Sequence, residues 1–149
     1  MQLWQARDLP AGPAPALVGT LSDGRAASLA DALKTANGRP VLVDFWATWC
    51  PVCKAEEGNI AAVARDWPTL TVAMQSGDAA AVAKHLKERD LGFTALVDAD
   101  GRLATAWKVR GVPTHFIVDS RGIVRFQLVG YATNPGLRAR LWWASRFPA

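Results

Sequence analysis

An apolar run containing a single acid dominates the hydrophobic pattern of this chain. The run begins at Val41, includes Asp44, and follows a turn-forming Asn-Gly-Arg-Pro segment. Its length and its valine content predict a buried strand. Residues 51–66 are rich in alanine and are interrupted by only one glycine, which predicts a helix. Cys50 therefore lies where a strand passes into a helix, and Pro51 suits the first helical turn.

The rest of the chain alternates short apolar strands with helical patterns. The predicted elements are a hairpin over 16–20 and 26–29, a helix over 29–36 capped by Ser28, a strand over 70–75, a helix over 78–90 capped by Asp78, a strand over 94–97, a short helix over 103–108, and a hairpin over 114–119 and 123–129.

The last helix is predicted to begin at an Asn134 cap, with Pro135 at its first position. Its apolar stripe is expected to consist of Leu137, Leu141 and Trp142. The side chains expected to face water on this helix are Arg138, Arg140 and Arg146.

Composition limits the classes of function that need to be considered. The chain has 149 residues, 50% hydrophobic and 20% charged, which suits one domain with a substantial core. The net charge of +4 comes from scattered basic residues, so we expect no nucleic-acid partner. We expect no membrane-spanning segment and no signal peptide, although an exported protein can lose such a segment.

We expect residues 1–15, which contain three prolines, to be irregular, and residues 16–149 to form the domain. Leu3 and Trp4 either dock on the domain or belong to a juxtamembrane remnant.

The chemistry of the chain centres on its only two cysteines, Cys50 and Cys53. A helix N-terminus carries unsatisfied N–H groups and a partial positive charge, which stabilise a thiolate. We therefore expect Cys50 to be the exposed nucleophile. Cys53, one helical turn later, is expected to be more buried and to act as the resolving thiol in thiol–disulfide exchange.

Three other roles are open to the cysteine pair. A permanent structural disulfide would close a very short loop and remove little chain entropy. Zinc requires four ligands, and neither His85 nor His115 has the spacing of a zinc finger. Two soft thiolates can also bind Cu(I), so a Cu(I)-binding module remains an alternative.

Residues 43–53, Val-Asp-Phe-Trp-Ala-Thr-Trp-Cys-Pro-Val-Cys, resemble the active-site strand and loop of the thioredoxin superfamily. A second match lies in Gly-Val-Pro-Thr, residues 111–114, which precedes another strand. In that superfamily a cis-proline precedes this strand and packs against the redox pair. The resemblance assigns that role to Pro113, preceded by Val112. It implies an α/β, thioredoxin-like fold with a central mixed β-sheet flanked by helices.

Residues 78–108 supply a central helix–strand insertion that thioredoxin itself lacks. With the N-terminal β-hairpin, this insertion resembles the membrane-anchored, outward-facing branch that includes TlpA-like and cytochrome c maturation thiol reductases. The tail over 128–144 and the Trp-Cys-Pro-Val-Cys centre are most similar to the suppressor-of-copper-sensitivity protein D group.

The resemblance also implies roles for individual residues. Asp44 would be the buried acid that takes a proton from Cys53 during resolution, with a hydrogen-bonded structural acid as the alternative. Trp49 would flank the nucleophile. Val112 and Pro113 would shape the site, and the backbone of Val112 would pair with an extended substrate.

Two departures from thioredoxin bear on the chemistry. Met74 takes the place of a lysine near the buried acid, so the proton relay is expected to differ. The residues between the cysteines are Pro51 and Val52, and a valine supplies no hydrogen-bond donor to a thiolate. We therefore predict a reduction potential of roughly −150 to −250 mV, between thioredoxin and the strong oxidant DsbA.

The implied function is that of a thiol–disulfide oxidoreductase that acts on protein substrates in the periplasm. The resemblance implies a reductant fed by a membrane electron donor, tethered to the inner membrane in the full-length protein and linked to copper tolerance; a protein disulfide oxidant is an alternative. We expect a monomer with no bound cofactor and no metal, in which the Cys50–Cys53 disulfide is the redox centre.

Overall fold

A computed structural model describes residues 8–149 of the chain, so the expectations for Leu3 and Trp4 lie outside the described residues. The elements are β1 (Gly12–Pro13), β2 (Val18–Thr20), β3 (Ala26–Ser28), α1 (Leu29–Thr35), β4 (Val41–Trp46), α2 (Pro51–Asp66), β5 (Thr69–Met74), α3 (Ala79–Glu88), β6 (Ala95–Asp98), α4 (Arg102–Ala106), β7 (Thr114–Val118), β8 (Ile123–Val129) and α5 (Asn134–Arg146).

Six strands form one mixed sheet in the order β1-β8-β7-β4-β5-β6, and β2 pairs with β3 in a separate hairpin. The central strand β4 runs parallel to β5 and antiparallel to β7. All six residues of β4 are buried, because both faces of the sheet are covered. The predicted central mixed sheet and N-terminal hairpin are confirmed.

The alternation of side chains along β4 divides the core into two layers. Val41, Val43 and Phe45 pack with residues of α1 and α4 on one face of the sheet. On the other face, Leu42 packs with residues of α2 and α5, and Trp46 packs in a cluster with residues of α3. Asp44 has the same parity as Leu42 and Trp46, so it faces the layer that contains α2.

The insertion predicted over 78–108 is present as α3, β6 and α4. Strand β6 pairs in parallel with β5 and forms one edge of the sheet. Asp98, at the end of β6, accepts hydrogen bonds from the backbone N–H groups of Leu103 and Ala104 at 2.8 and 3.0 Å. This buried carboxylate satisfies N–H groups in the first turn of α4, as an N-terminal acid does.

The start of the last helix corrects a prediction. The cap is Thr133, whose hydroxyl oxygen accepts from the Gly136 N–H at 3.0 Å, and Asn134 is the first helical residue. Both residue types are good caps, and proline is accepted at either of the first two helical positions.

Two predictions for the faces of α5 are also wrong. Trp142 is 51% exposed, and Ala144 completes the buried stripe with Leu137 and Leu141. Arg138 does not simply face water, because it forms an ion pair with Asp66 of α2 at 2.8 Å.

The segment predicted to be irregular contributes to the sheet. Gly12 and Pro13 form β1 and pair antiparallel with Val124 and Ile123 of β8. Within residues 8–149, no helix is both long and apolar enough to cross a membrane.

Candidate active site

Cys50 occupies the N-cap position of α2, with Pro51 in the first turn. Its backbone is extended (φ −95°, ψ 115°), and its sulfur accepts a hydrogen bond from the Cys53 N–H at 3.1 Å. This N–H is one of the donors that a helix start leaves unpaired. The strand-to-helix junction therefore places Cys50 Sγ where the helix dipole and a backbone donor both favour a negative charge.

Both cysteines are more enclosed than the sequence suggested. Cys50 is only 5% exposed and Cys53 is 2% exposed, so the prediction of an exposed Cys50 is wrong, although Cys53 is the more buried of the two. Cys50 is covered in part by the loop before β7, where the Val112 carbonyl oxygen lies 3.6 Å from Cys50 Sγ. Little of the Cys50 side chain is therefore open to a substrate sulfur.

The Val112–Pro113 peptide bond is cis, as the resemblance implied. Pro113 is buried, and its carbonyl accepts from the Gly130 N–H at 2.9 Å, which ties the loop to the end of β8. Val112 is half-buried and packs against the cluster that contains both cysteines. The structure thus brings Val112 and Pro113 to the redox pair from 60 residues away in the chain.

Exposed side chains lie around Cys50. Trp49 is 55% exposed and Val52 is 44% exposed, and Pro51 is also exposed. The Trp49 indole N–H donates to the Gln75 carbonyl at 2.9 Å, which holds the ring beside the site. Trp46 is a core residue at 4% exposure. A rim of exposed apolar side chains around a buried sulfur suits contact with a larger molecule.

Asp44 is buried on β4 at 1% exposure. Burial raises the pKa of Asp44 to about 7; the positive charge of His115 works against this rise, and the charge of Glu56 adds to it. Asp44 Oδ1 lies 3.3 Å from His115 Nε2 but has no partner aligned for a hydrogen bond. The carboxyl can therefore change its protonation state near neutral pH.

Cys53 needs a proton acceptor before it can act as a nucleophile. Burial raises the pKa of its thiol, and the hydrogen bond with Cys50 and the charge of Asp44 raise it further. The role of Asp44 as the acid that receives this proton stays a prediction.

Sequence reasoning missed two residues of this site, Glu56 and His115. His115 Nε2 lies 2.7 Å from Glu56 Oε1, and both side chains are buried. Two signals were available: His115 is a polar residue within an apolar strand, and Glu56 lies three positions after Cys53 on the same face of α2. Met74, the residue that takes the place of the thioredoxin lysine, packs in the core layer that faces away from Asp44. The basic side chain beside Asp44 is instead His115 of β7.

The side chains of Asp44, Glu56 and His115 are all metal-binding types, with donor atoms within 4.8 Å of one another. The contact of 2.7 Å between Glu56 and His115 has the length of a charge-assisted hydrogen bond, and it is shorter than the spacing of about 3.3 Å between donors around tetrahedral zinc. We therefore interpret the cluster as a network that shares protons. The absence of a metal and the binding of Cu(I) by the two thiolates stay predictions.

Comparison with known proteins places this site in a family. Residues 10–127 match the AhpC/TSA family. The chain is 32% identical to a thioredoxin-like protein from Haemophilus influenzae over 112 residues, which cover 74% of this chain and 66% of the relative. It is also 32% identical to the thiol:disulfide interchange protein DsbE of Pseudomonas aeruginosa over 106 residues, covering 70% of this chain and 59% of DsbE.

A crystal structure of a thioredoxin-family thiol:disulfide interchange protein from Chlorobium tepidum superposes on the chain with a TM-score of 0.75. The two chains are 25% identical, and the match covers 93% of this chain and 99% of the other. The matched part of the first curated relatives is 52–66% of their length. The predicted thioredoxin-like fold is confirmed, and the chain belongs to the AhpC/TSA family of thioredoxin-like proteins.

Proposed function

We propose that the protein is a thiol–disulfide oxidoreductase that exchanges the Cys50–Cys53 dithiol with disulfides of protein substrates. The observation that carries this proposal is the position of Cys50 at the N-cap of α2, where the Cys53 N–H donates to its sulfur. A resolving thiol one turn away and a buried acid that titrates near neutral pH complete the groups that exchange requires.

Reduction of a substrate takes two steps. The Cys50 thiolate attacks one sulfur of the substrate disulfide, the bond between Cys50 and that sulfur forms, and the other substrate sulfur leaves as a thiolate. Cys53 then gives its proton to the Asp44 carboxylate and attacks Cys50 Sγ. The Cys50–Cys53 bond forms, the second substrate thiolate leaves, and two electrons have passed to the substrate. Both released thiolates take protons according to the solvent pH.

The exposed apolar side chains around Cys50 support a protein as the substrate. The nucleophile is only 5% exposed, whereas the surrounding Trp49 and Val52 offer about half of their surface. An extended segment pairing with the Val112 backbone would bring its disulfide over Cys50. The names of the relatives, thiol:disulfide interchange proteins, support the same reaction.

We further propose that the protein works in the periplasm as a reductant, that it is supplied with electrons by a membrane protein, and that it acts as a monomer. Val52 adds no hydrogen-bond donor for the thiolate, which supports a potential below that of DsbA. A link to copper tolerance rests on the likeness to the suppressor-of-copper-sensitivity protein D group alone.

The potential of the Cys50–Cys53 pair is the first test. Equilibration with defined thiol buffers, followed through the fluorescence of Trp46 and Trp49, should give roughly −150 to −250 mV. A value near that of DsbA would make the protein a disulfide donor. A value far below the glutathione poise would indicate an inert structural bridge and overturn the proposal.

Cysteine variants test the assigned roles. Cys53→Ser should accumulate mixed disulfides with substrate proteins, because the resolving thiol is missing, whereas Cys50→Ser should form none. Non-reducing electrophoresis with mass spectrometry measures both outcomes. Equal trapping by the two variants would contradict the assignment of nucleophile and resolving thiol.

A further inference from the structure

His115 lies at the centre of a buried polar cluster, of which the two reaction steps use only Asp44. Its Nδ1 lies 3.3 Å from the Leu128 carbonyl oxygen on β8. Because a carbonyl oxygen can only accept a hydrogen bond, Nδ1 must carry a hydrogen. On the other side of the ring, Nε2 meets two carboxyl groups, Glu56 at 2.7 Å and Asp44 at 3.3 Å. The protonation of Nε2 therefore decides the charge of the whole cluster.

Glu56 contacts protein groups through both of its carboxyl oxygens. Its Oε2 accepts a hydrogen bond from the Ala132 N–H at 2.8 Å, and its Oε1 lies 2.7 Å from His115 Nε2. A contact of this length is typical of a charge-assisted pair. Burial alone lowers the pKa of His115, but Asp44 and Glu56 more than offset it, and the pKa is raised. The geometry and the raised pKa both favour the imidazolium form of His115.

Asp44 is then the member of the cluster that changes charge near neutral pH. Residues Asp44 and His115 are direct partners across the antiparallel strands β4 and β7, so their side chains share one face of the sheet. The imidazolium lowers the proton affinity of Asp44, and Glu56 raises it. Cys53, which follows Cys50 by one turn of α2, is the thiol whose titration Asp44 affects.

We propose that His115 is a positioning residue for disulfide exchange: its imidazolium, clamped by Glu56, keeps Asp44 sufficiently ionised to accept the Cys53 proton near neutral pH. This inference rests on the proposed function. The groups that face the His115 ring are Asp44 from β4, Glu56 from α2, and the Leu128 carbonyl from β8. A cation is needed at this position because Asp44 is fully buried and Glu56 adds a second negative charge beside it.

The charge of His115 predicts how the pH dependence changes when it is removed. In His115→Gln the cation is lost, so the pH midpoint of the Cys53 step should rise by at least one unit, about a fivefold lower rate at pH 7. In Glu56→Gln a repelling charge and the partner of the imidazolium are lost together, so the two effects oppose each other and the midpoint should move less than in His115→Gln.

Ellman's disulfide, 5,5′-dithiobis(2-nitrobenzoate), separates the two steps in one stopped-flow trace. The first thionitrobenzoate is released when Cys50 attacks, and the second when Cys53 resolves the mixed disulfide. The rate of the second phase, measured from pH 5 to 9 for the reduced wild-type protein and its variants, gives the midpoint. The matched controls are His85→Gln and Glu57→Gln. They alter the contact between His85 and Glu57, the residue after Glu56 on α2, and should leave the midpoint unchanged.

A midpoint that His115→Gln leaves unchanged or lowers would overturn the role of His115 while leaving the proposed function intact. A wild-type protein that releases no thionitrobenzoate would instead overturn the proposed function, and this inference with it. A second measurement needs no variant: nitrogen NMR of the wild-type imidazoles at pH 7 should show both ring nitrogens of His115 protonated. A neutral His115 ring would equally overturn the inference.

Discussion

Two consecutive glutamates of α2 each contact a histidine, yet the two contacts have opposite electrostatic outcomes. Glu56 meets His115 at 2.7 Å with both side chains buried, whereas Glu57 meets His85 at 3.4 Å with side chains 10% and 14% exposed. Successive helical residues point about 100° apart, so one glutamate faces the sheet and the other faces α3. The surroundings of each pair, rather than its residue types, determine its charge.

Partners outside each pair produce the difference. The pKa of His85 is lowered, first by burial and then by the positive charge of Lys54. Glu57 forms its ion pair with Arg89 instead, so its contact with His85 holds a neutral ring. His115 has no cation against it in the contacts that the structure gives, and it faces two carboxyl groups, which raise its pKa. One contact supplies a buried charge beside Asp44, and the other does not.

The largest expected effect on this comparison is on stability. His115→Leu should lower the free energy of unfolding by about 3–5 kcal/mol at pH 7, because it leaves the buried Glu56 carboxylate without its partner. His85→Leu should lower it by less than about 1 kcal/mol, because a partly exposed neutral ring is lost. Urea unfolding of both variants measures the difference. Adding Glu56→Leu to His115→Leu should recover part of the lost stability. If His115→Leu and His85→Leu lost the same free energy of unfolding, the two pairs would not differ as described.

The next effect concerns the buried acid that only the first pair faces. The folded-state pKa of Asp44, about 7, lies above its ordinary value of 3.8, so the folded protein holds this proton more tightly. Its contribution to stability is therefore present at low pH and is lost as the pH rises from about 4 through 7. Asp44→Asn removes this pH-dependent loss. The gain in its free energy of unfolding over that of the wild type should therefore be about 2–4 kcal/mol larger at pH 8 than at pH 4.

The same linkage applies to His115 in the same direction. A raised histidine pKa stabilises the folded state below its unfolded value, and that contribution is lost as the pH rises through the folded-state value. Unfolding midpoints in urea between pH 4 and 8 test both groups. The raised pKa of Asp44 would be contradicted by two results together: a wild-type stability that increases from pH 4 to 8, and no gain from Asp44→Asn at pH 8.

The smallest effect is expected at the second pair. Glu57→Gln removes the ion pair with Arg89, whose side chain is 41% exposed, and should cost no more than about 1 kcal/mol. Because salt screens exposed charges, this loss should shrink further in about 1 M salt. Thermal unfolding at low and high ionic strength measures it. A loss as large as that of His115→Leu would show that the Glu57–Arg89 pair is also essential to the fold.

Local pattern was sufficient for much of the fold because the physical causes lie within a few residues. Strand β4 and helix α2 were predicted from an apolar run and an alanine-rich segment, and the Ser28 and Asp78 caps are both confirmed by hydrogen bonds to the backbone. The start of α5 was missed by one residue, since Thr133 and Asn134 are both good caps. Trp142 was misplaced because its position next to Leu141 turns it about 100° away from the buried stripe.

The sequence by itself determined the candidate redox centre: two cysteines at a strand-to-helix junction, and one acid in an apolar strand. Only the tertiary structure decided how closed the site is and which charges surround the acid. Cys50 is 5% exposed, and the loop that carries Val112 lies against its sulfur, a contact that no local pattern encodes. His115 and Glu56 are 59 residues apart, and they meet because β7 pairs with β4 in the register that sets His115 opposite Asp44. Strand register is a property of the assembled sheet, so the charge beside Asp44 emerges only when the chain folds.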